Sequence, residues 1–299
     1  MEIKYILLIL ISIFTSFVFG QDKVVSYTYI RFDNEYQNST YQYVGYDRIF
    51  VINKEDQLIV FDIIPLIGSR FYSNNNIENQ FSDYRINTSF KYNRNWYINT
   101  NLSLLNSKEW SPFLFDVLVR YSKGKYSTEF FIERESVGNP ITNQLKYIST
   151  TESLSLDYRI IKRLLIVNAI SNSKISDGNI RLSNTSRVIY TLNSISYIDF
   201  RIRRVTNSEF SPYYFSPDKI NQYNFGYGLN KVYRGVTINL YVGSGLQIID
   251  NEDVIMSNYD LKLSKVFNNK YYIEVSNSSK NFDTYIYNAI NVKFTILIK

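Results

Sequence analysis

Phe113-Leu114-Phe115-Asp116-Val117-Leu118-Val119-Arg120-Tyr121-Ser122, then Lys123-Gly124-Lys125, then Tyr126-Ser127-Thr128-Glu129-Phe130-Phe131-Ile132-Glu133-Arg134-Glu135 is the stretch that decides the fold. In an extended chain, successive side chains point to opposite faces. Phe113, Phe115, Val117, Val119 and Tyr121 therefore share one face, and Asp116 and Arg120 share the other. A glycine-centred turn follows, and then a second strand begins. Segments of about ten alternating residues separated by turn residues are the pattern of a transmembrane β-barrel, whose side chains alternate between lipid and lumen.

Working outward, the same unit recurs along the chain and predicts an all-β fold, an up-and-down antiparallel transmembrane barrel of about sixteen strands. The predicted strands are 22–32, 41–52, 57–66, 82–92, 96–106, 112–122, 126–135, 148–159, 163–172, 180–191, 195–205, 221–231, 234–245, 255–266, 270–278 and 286–298. Short connections such as Asn53-Lys54-Glu55-Asp56, Asn93-Arg94-Asn95, Leu192-Asn193-Ser194 and Phe267-Asn268-Asn269 alternate with longer ones. The longer ones are 33–40, 67–81, 107–111, 136–147, 173–179, 206–220, 246–254 and 279–285. In bacterial barrels short turns lie in the periplasm and long loops outside. Prolines 112, 140, 212 and 217 fall in predicted outer loops or at a strand start, and Pro65 falls at the end of the third strand, which is where proline spares the ladder.

The ends and the composition agree with that compartment. Residues 1–20 read as a secretory signal peptide: Lys4, an apolar run from Tyr5 to Phe19, and the small-x-small site Val18-Phe19-Gly20. Residues 21–299 are then a single barrel domain in the bacterial outer membrane, in contact with lipopolysaccharide and delivered by the barrel-assembly machinery. Aromatic residues make up 17%, with 28 Tyr and 20 Phe, as suits interfacial girdles. The chain has no cysteine and no histidine. The missing imidazole removes the commonest general base and metal ligand, and with it any Ser-His or Asp-His catalytic pair. No cofactor or metal is expected. The charge of +6 is spread rather than gathered into a basic stripe, which argues against nucleic acid.

Alternation places Asp116, Glu129, Glu133, Asp157, Asp199, Asp260 and Glu274 toward the lumen, together with Arg85, Lys91, Arg120, Arg187, Arg201, Arg203, Lys262 and Lys293. Opposite charges across neighbouring strands hold a hydrated wall together, and the same wall suits passage of a hydrophilic solute. Glu129, Glu133 and Glu135 share one face of a strand, but alternation alone produces that spacing, so a glycosidase-like pair is not the economical reading. In the connection 206–220, Phe210, Tyr213, Tyr214 and Phe215 stand among Ser and Pro, and such rings stack on sugar faces or fold into a barrel mouth.

Ser211-Pro212-Tyr213-Tyr214-Phe215-Ser216-Pro217 resembles the Tyr-Phe-Ser-Pro loop of the barrel domains of bacterial cellulose and poly-N-acetylglucosamine export proteins. Glu133-Arg134-Glu135-Ser136-Val137-Gly138-Asn139-Pro140-Ile141-Thr142 is similar to their Arg-rich, Val-Thr-containing segment. The resemblance implies a sixteen-stranded export barrel for a polysaccharide. It also implies Tyr213, Tyr214 and Phe215 touching the emerging chain, Arg134 near the mouth, and a periplasmic helical-repeat partner in place of the domain this chain lacks. The expectation is a passive pore, not an enzyme. A non-transporting barrel whose outer loops bind a glycan or partner protein is the competing reading.

Overall fold

The computed structural model describes residues 20–33, 38–54, 57–73, 78–93, 95–137, 140–268, 271–282 and 285–298. The predicted signal peptide lies outside the described residues apart from Gly20, which opens the first strand; the terminal Lys299 also lies outside. Sixteen strands run in sequence order: β1(Gly20–Asp33), β2(Asn38–Lys54), β3(Gln57–Ser73), β4(Glu78–Tyr92), β5(Trp96–Asn106), β6(Phe113–Lys123), β7(Tyr126–Ser136), β8(Ile148–Ile161), β9(Leu164–Ile175), β10(Ile180–Thr191), β11(Ser196–Asn207), β12(Lys219–Tyr233), β13(Val236–Ile249), β14(Glu252–Phe267), β15(Tyr271–Phe282) and β16(Tyr285–Ile298). Each pairs antiparallel with its sequence neighbours, and β1 pairs with β16, so the sheet closes on itself. Closure satisfies the backbone without leaving an edge, the condition for crossing hydrocarbon in strands.

The periodicity explains which face is which. Phe113, Tyr84, Leu154, Ile170, Phe225 and Val242 are large, apolar and exposed on the outer wall, the reverse of a soluble core. In a water-soluble sheet these would be buried; here lipid is their solvent. The single helix among the described residues, α1(Pro140–Gln144), sits in the β7–β8 connection and touches β4, three strands away. That connection therefore folds across the mouth instead of standing away from it.

Turn chemistry fits the short connections. Arg234 and Gly235 both have positive φ (50° and 76°), as do Asp250 and Asn251 (47° and 78°). Two consecutive left-handed residues are what a tight hairpin matched to strand twist requires. Two expectations need correction. Among the described residues, the connections expected at 67–81, 246–254 and 279–285 are largely strand, and 33–40 is strand at both its ends; 246–254 collapses to the turn Asp250-Asn251. The ladder continues past the lipid belt because backbone pairing does not depend on which side chains it carries, and polar residues there break the alternation that marks a strand. Pro65 is not at a strand end but inside β3. The β2–β3 register skips Ile64 and Pro65 and resumes unchanged at Ile63↔Arg48, whereas the β3–β4 register runs on through Pro65↔Ile86. The missing N–H thus falls on the β2 side.

Candidate functional site

The register assigns the inner face. Asp116 stands opposite Glu133, Arg120 opposite Glu129, and Asp157 opposite Ser127. Arg187 stands opposite Arg201, Arg203 opposite Thr185, and Glu274 opposite Lys293. Arg85, Lys91, Asp199 and Lys262 fall on this same face, opposite Ser103, Tyr97, Gly226 and Asn239. Asn, Ser, Thr and Gln fill much of the rest, including Asn87, Ser89, Asn101, Gln222, Asn224 and Gln247. The charges are sorted by sector. β6–β8 carry Asp116, Glu129, Glu133, Glu135 and Asp157 with Arg120 among them, whereas β10–β11 carry Arg181, Arg187, Arg201 and Arg203 with Asp199 among them. The two sectors lie side by side on the lumen wall, separated by β9.

Two buried carboxylates brace this lumen. Asp83, 0% exposed, accepts from Tyr43 Oη (2.7 Å), Arg70 Nε (2.7 Å), Arg85 Nη2 (3.3 Å) and Ser103 Oγ, joining β2, β3, β4 and β5. Asp199, 1% exposed, accepts from Arg187 Nε and from Tyr241 Oη (2.8 Å), to which Asn224 Nδ2 also donates (3.1 Å). The second cluster joins β10, β11, β12 and β13. The two aspartates stand on β4 and β11, almost across the diameter of the sixteen-stranded ring. Each tyrosine lies against a glycine. A Cβ at Gly68 would meet Tyr43 at 2.4 Å, and one at Gly226 would meet Tyr241 at 2.2 Å. The missing side chain is what lets the ring reach the carboxylate.

Other pairs are wetter. Arg120 and Glu129 pair at 2.5 Å with the arginine side chain 48% exposed, and Lys262 pairs with Glu274 at 2.8 Å. Toward the outer end, Tyr72, Phe81, Leu105 and Leu114 form an apolar cluster against which Trp110 packs, tying the 107–112 connection inward.

The mouth is built by three neighbouring connections. Tyr147 sets its ring edge-on to Tyr213 and Tyr214, with centroids 6.1 and 6.4 Å apart. Tyr214 Oη donates to Asp177 Oδ2 (2.8 Å) and accepts from Asn179 Nδ2 (3.0 Å), which also donates to the Glu209 carbonyl (2.8 Å). Burial, then the bond to Asp177, push the Tyr214 phenol above its ordinary value. Tyr214 is therefore a fastening between loops. Phe210 and Phe215 remain open, 75% and 62% exposed, with Tyr213 beside them.

One residue grouped with this loop does not belong to it. Arg134 lies in β7 opposite Phe115, on the outer face with Phe130 and Ile132. Its parity in the strand turns it away from the lumen. The Asp83 cluster, in contrast, has almost no signature in the sequence; it depends on four strands meeting in register, and its one local sign is an aspartate two residues before Arg85 on the same face.

No family model matches the chain, and no curated protein matches it in sequence. Solved structures do. A bacterial polysaccharide outer membrane secretin superposes with a TM-score of 0.66 at 10% identity, covering 94% of this chain and 98% of that one. Pseudomonas aeruginosa OccK5 (OpdH) gives 0.50 at 10% identity, covering 94% and 98%. Pseudomonas aeruginosa OccK7 (OpdD) gives 0.50 at 8%, covering 93% and 99%. At such identities the likeness is one of fold: this chain is built as an outer-membrane β-barrel along nearly its whole length.

Proposed function

We propose that the chain is a passive outer-membrane pore for a hydrophilic solute, and that the solute is a surface polysaccharide on its way out. The observation that carries the pore reading is the closed sixteen-stranded cylinder whose inner face is polar and charge-sorted. Such a wall replaces a solute's hydration with side-chain hydrogen bonds, none of which needs to be strong for passage to occur. The basic sector belongs to the brace around Asp199, and the closed ladder carries the acidic one.

Support for a polysaccharide comes from the mouth and from the fold. Phe210, Tyr213 and Phe215 offer exposed rings above the lumen, and the apolar C–H faces of sugars stack on such rings. The chain folds like a polysaccharide outer membrane secretin. In this reading a separate periplasmic helical-repeat partner delivers the polymer, a signal peptide and the barrel-assembly machinery bring the chain to the membrane, and lipopolysaccharide surrounds it. Catalysis has no role in it.

A second reading is favoured by one observation. α1 and the clasped connections fold over the mouth, as they would in a barrel whose loops bind a glycan or partner without passing it. Conductance across planar bilayers separates the two. The pore reading expects channels in the intact protein and larger ones when 208–218 is deleted. Silence in both favours the binding reading. A glycosyltransferase gene beside this one supports the polysaccharide; its absence together with free passage of unrelated small solutes argues for a general pore.

A further inference from the structure

The outer wall is not uniformly apolar. β6 presents Phe113, Phe115, Val117, Val119 and Tyr121, and β13 presents Ile238, Leu240 and Val242. Across β8–β11 the same face carries Glu152, Asn168, Asn172, Asn184, Ser186 and Arg204. Glu152, Asn168, Asn184 and Arg204 are exposed, and Asn172 Oδ1 is buried without a hydrogen-bond partner among the described residues. β9 and β10 are twelve residues each, scarcely longer than the nine to eleven that cross a bilayer. In their middle Asn168 Oδ1 accepts from Ser186 Oγ (2.8 Å), whereas the exposed Asn184 amide faces hydrocarbon, which cannot satisfy it. The same sector holds a shallow cavity of about 520 Å³ edged by Phe130, Leu154 and Leu182.

We propose that this sector is the interface of a two-fold dimer of the chain, with the axis parallel to the membrane normal through the β9–β10 seam. The charge pattern selects a second copy over lipid or another protein, because the patch is complementary to itself. Glu152 is the fifth residue from the outer end of β8, and Arg204 the fourth from the outer end of β11. Asn172 is the fourth from the outer end of β9, and Asn184 the fifth from that of β10. A two-fold rotation about the seam lays β8 on the copy's β11 and β9 on its β10. Carboxylate then faces guanidinium at both edges, and amide faces amide at the centre, where each supplies a donor and an acceptor.

The chain has no cysteine of its own, so single cysteines report cleanly. Asn184→Cys, oxidised in intact outer membranes, is expected to give a disulfide-linked homodimer, whereas Val242→Cys on another sector is expected to give none. In detergent, light scattering is expected to show loss of the dimer for Glu152→Arg and for Arg204→Glu, and its return in the double reversal. Heat-modifiable gel migration checks that each variant is folded. The proposal is overturned if Asn184→Cys links to a different protein or links no more than Val242→Cys, or if the single reversals leave the dimer intact.

Discussion

Replacing Asp83 with Asn tests the brace directly. The change keeps size and shape and removes one charge. In the native barrel that carboxylate is 0% exposed, receives Tyr43 and Ser103, and lies 2.7 Å from Arg70 and 3.3 Å from Arg85. The Arg70 side chain is only 11% exposed, so water replaces little of what it loses. Summing four charge-assisted hydrogen bonds would overstate the effect, because they share one acceptor group and are not additive. The better guide is the cost of breaking a buried pair while leaving the partner charge in place, about 3–5 kcal/mol. The amide also turns an NH2 toward groups that are themselves donors. Trp110 packs on Phe81, two residues from Asp83, and supplies the probe. Urea unfolding in lipid vesicles, followed by tryptophan emission, should therefore shift strongly for Asp83→Asn. A loss below about 1 kcal/mol, the range of an exposed surface pair, would refute the argument that this cluster holds β2–β5 together.

Four further outcomes are expected. Arg120→Ala should leave stability within about 1 kcal/mol, since half-exposed pairs contribute little, yet shift pore selectivity toward cations by leaving Glu129 unneutralised; reversal potentials in asymmetric salt read this. Gly226→Ala should cost about 1–3 kcal/mol through overpacking, because the new methyl lands on the Tyr241 ring; the same change at the open turn position Gly124 meets nothing within 4 Å and its cost is that of the positive φ alone. Tyr214→Phe should weaken the clasp by about 1 kcal/mol and raise channel flicker in single-channel records. The Tyr214 phenol has a folded pKa above its unfolded one, so its contribution is complete below the ordinary value near 10 and is lost as pH rises through the folded value; proteolysis of the 208–218 connection at rising pH checks the sign.

How much of this was readable beforehand follows from what alternation encodes. β5 and β10 begin and end at the predicted residues because large apolar residues mark both ends of one face, Trp96 and Leu104 in β5 and Ile180 and Tyr190 in β10. The outer ends of β3 and β13 have no signature in the sequence, because polar residues on both faces carry no period. Parity alone turned Arg85, Asp116, Arg187 and Asp199 inward, and parity would also have turned Arg134 outward; it was placed at the mouth by resemblance instead. What no single strand carries is the partner. Asp83 meets Tyr43 across forty residues, and Tyr241 meets Asp199 only because Gly226 between them is bare. Glycine in a strand reads as weakness, and its use as a seat for a ring is visible only once three strands are in place.

The skipped rungs at Ile64 and Pro65 give the wall a built-in place to yield. A hoop of hydrogen bonds is as strong as its poorest link, and here Pro65 has no N–H to offer β2 and the ladder skips two rungs. Under thermal or mechanical load the cylinder should unzip from this point rather than from the join between its first and last strands, and deuterium should enter the amides of β2 there before any others at that depth.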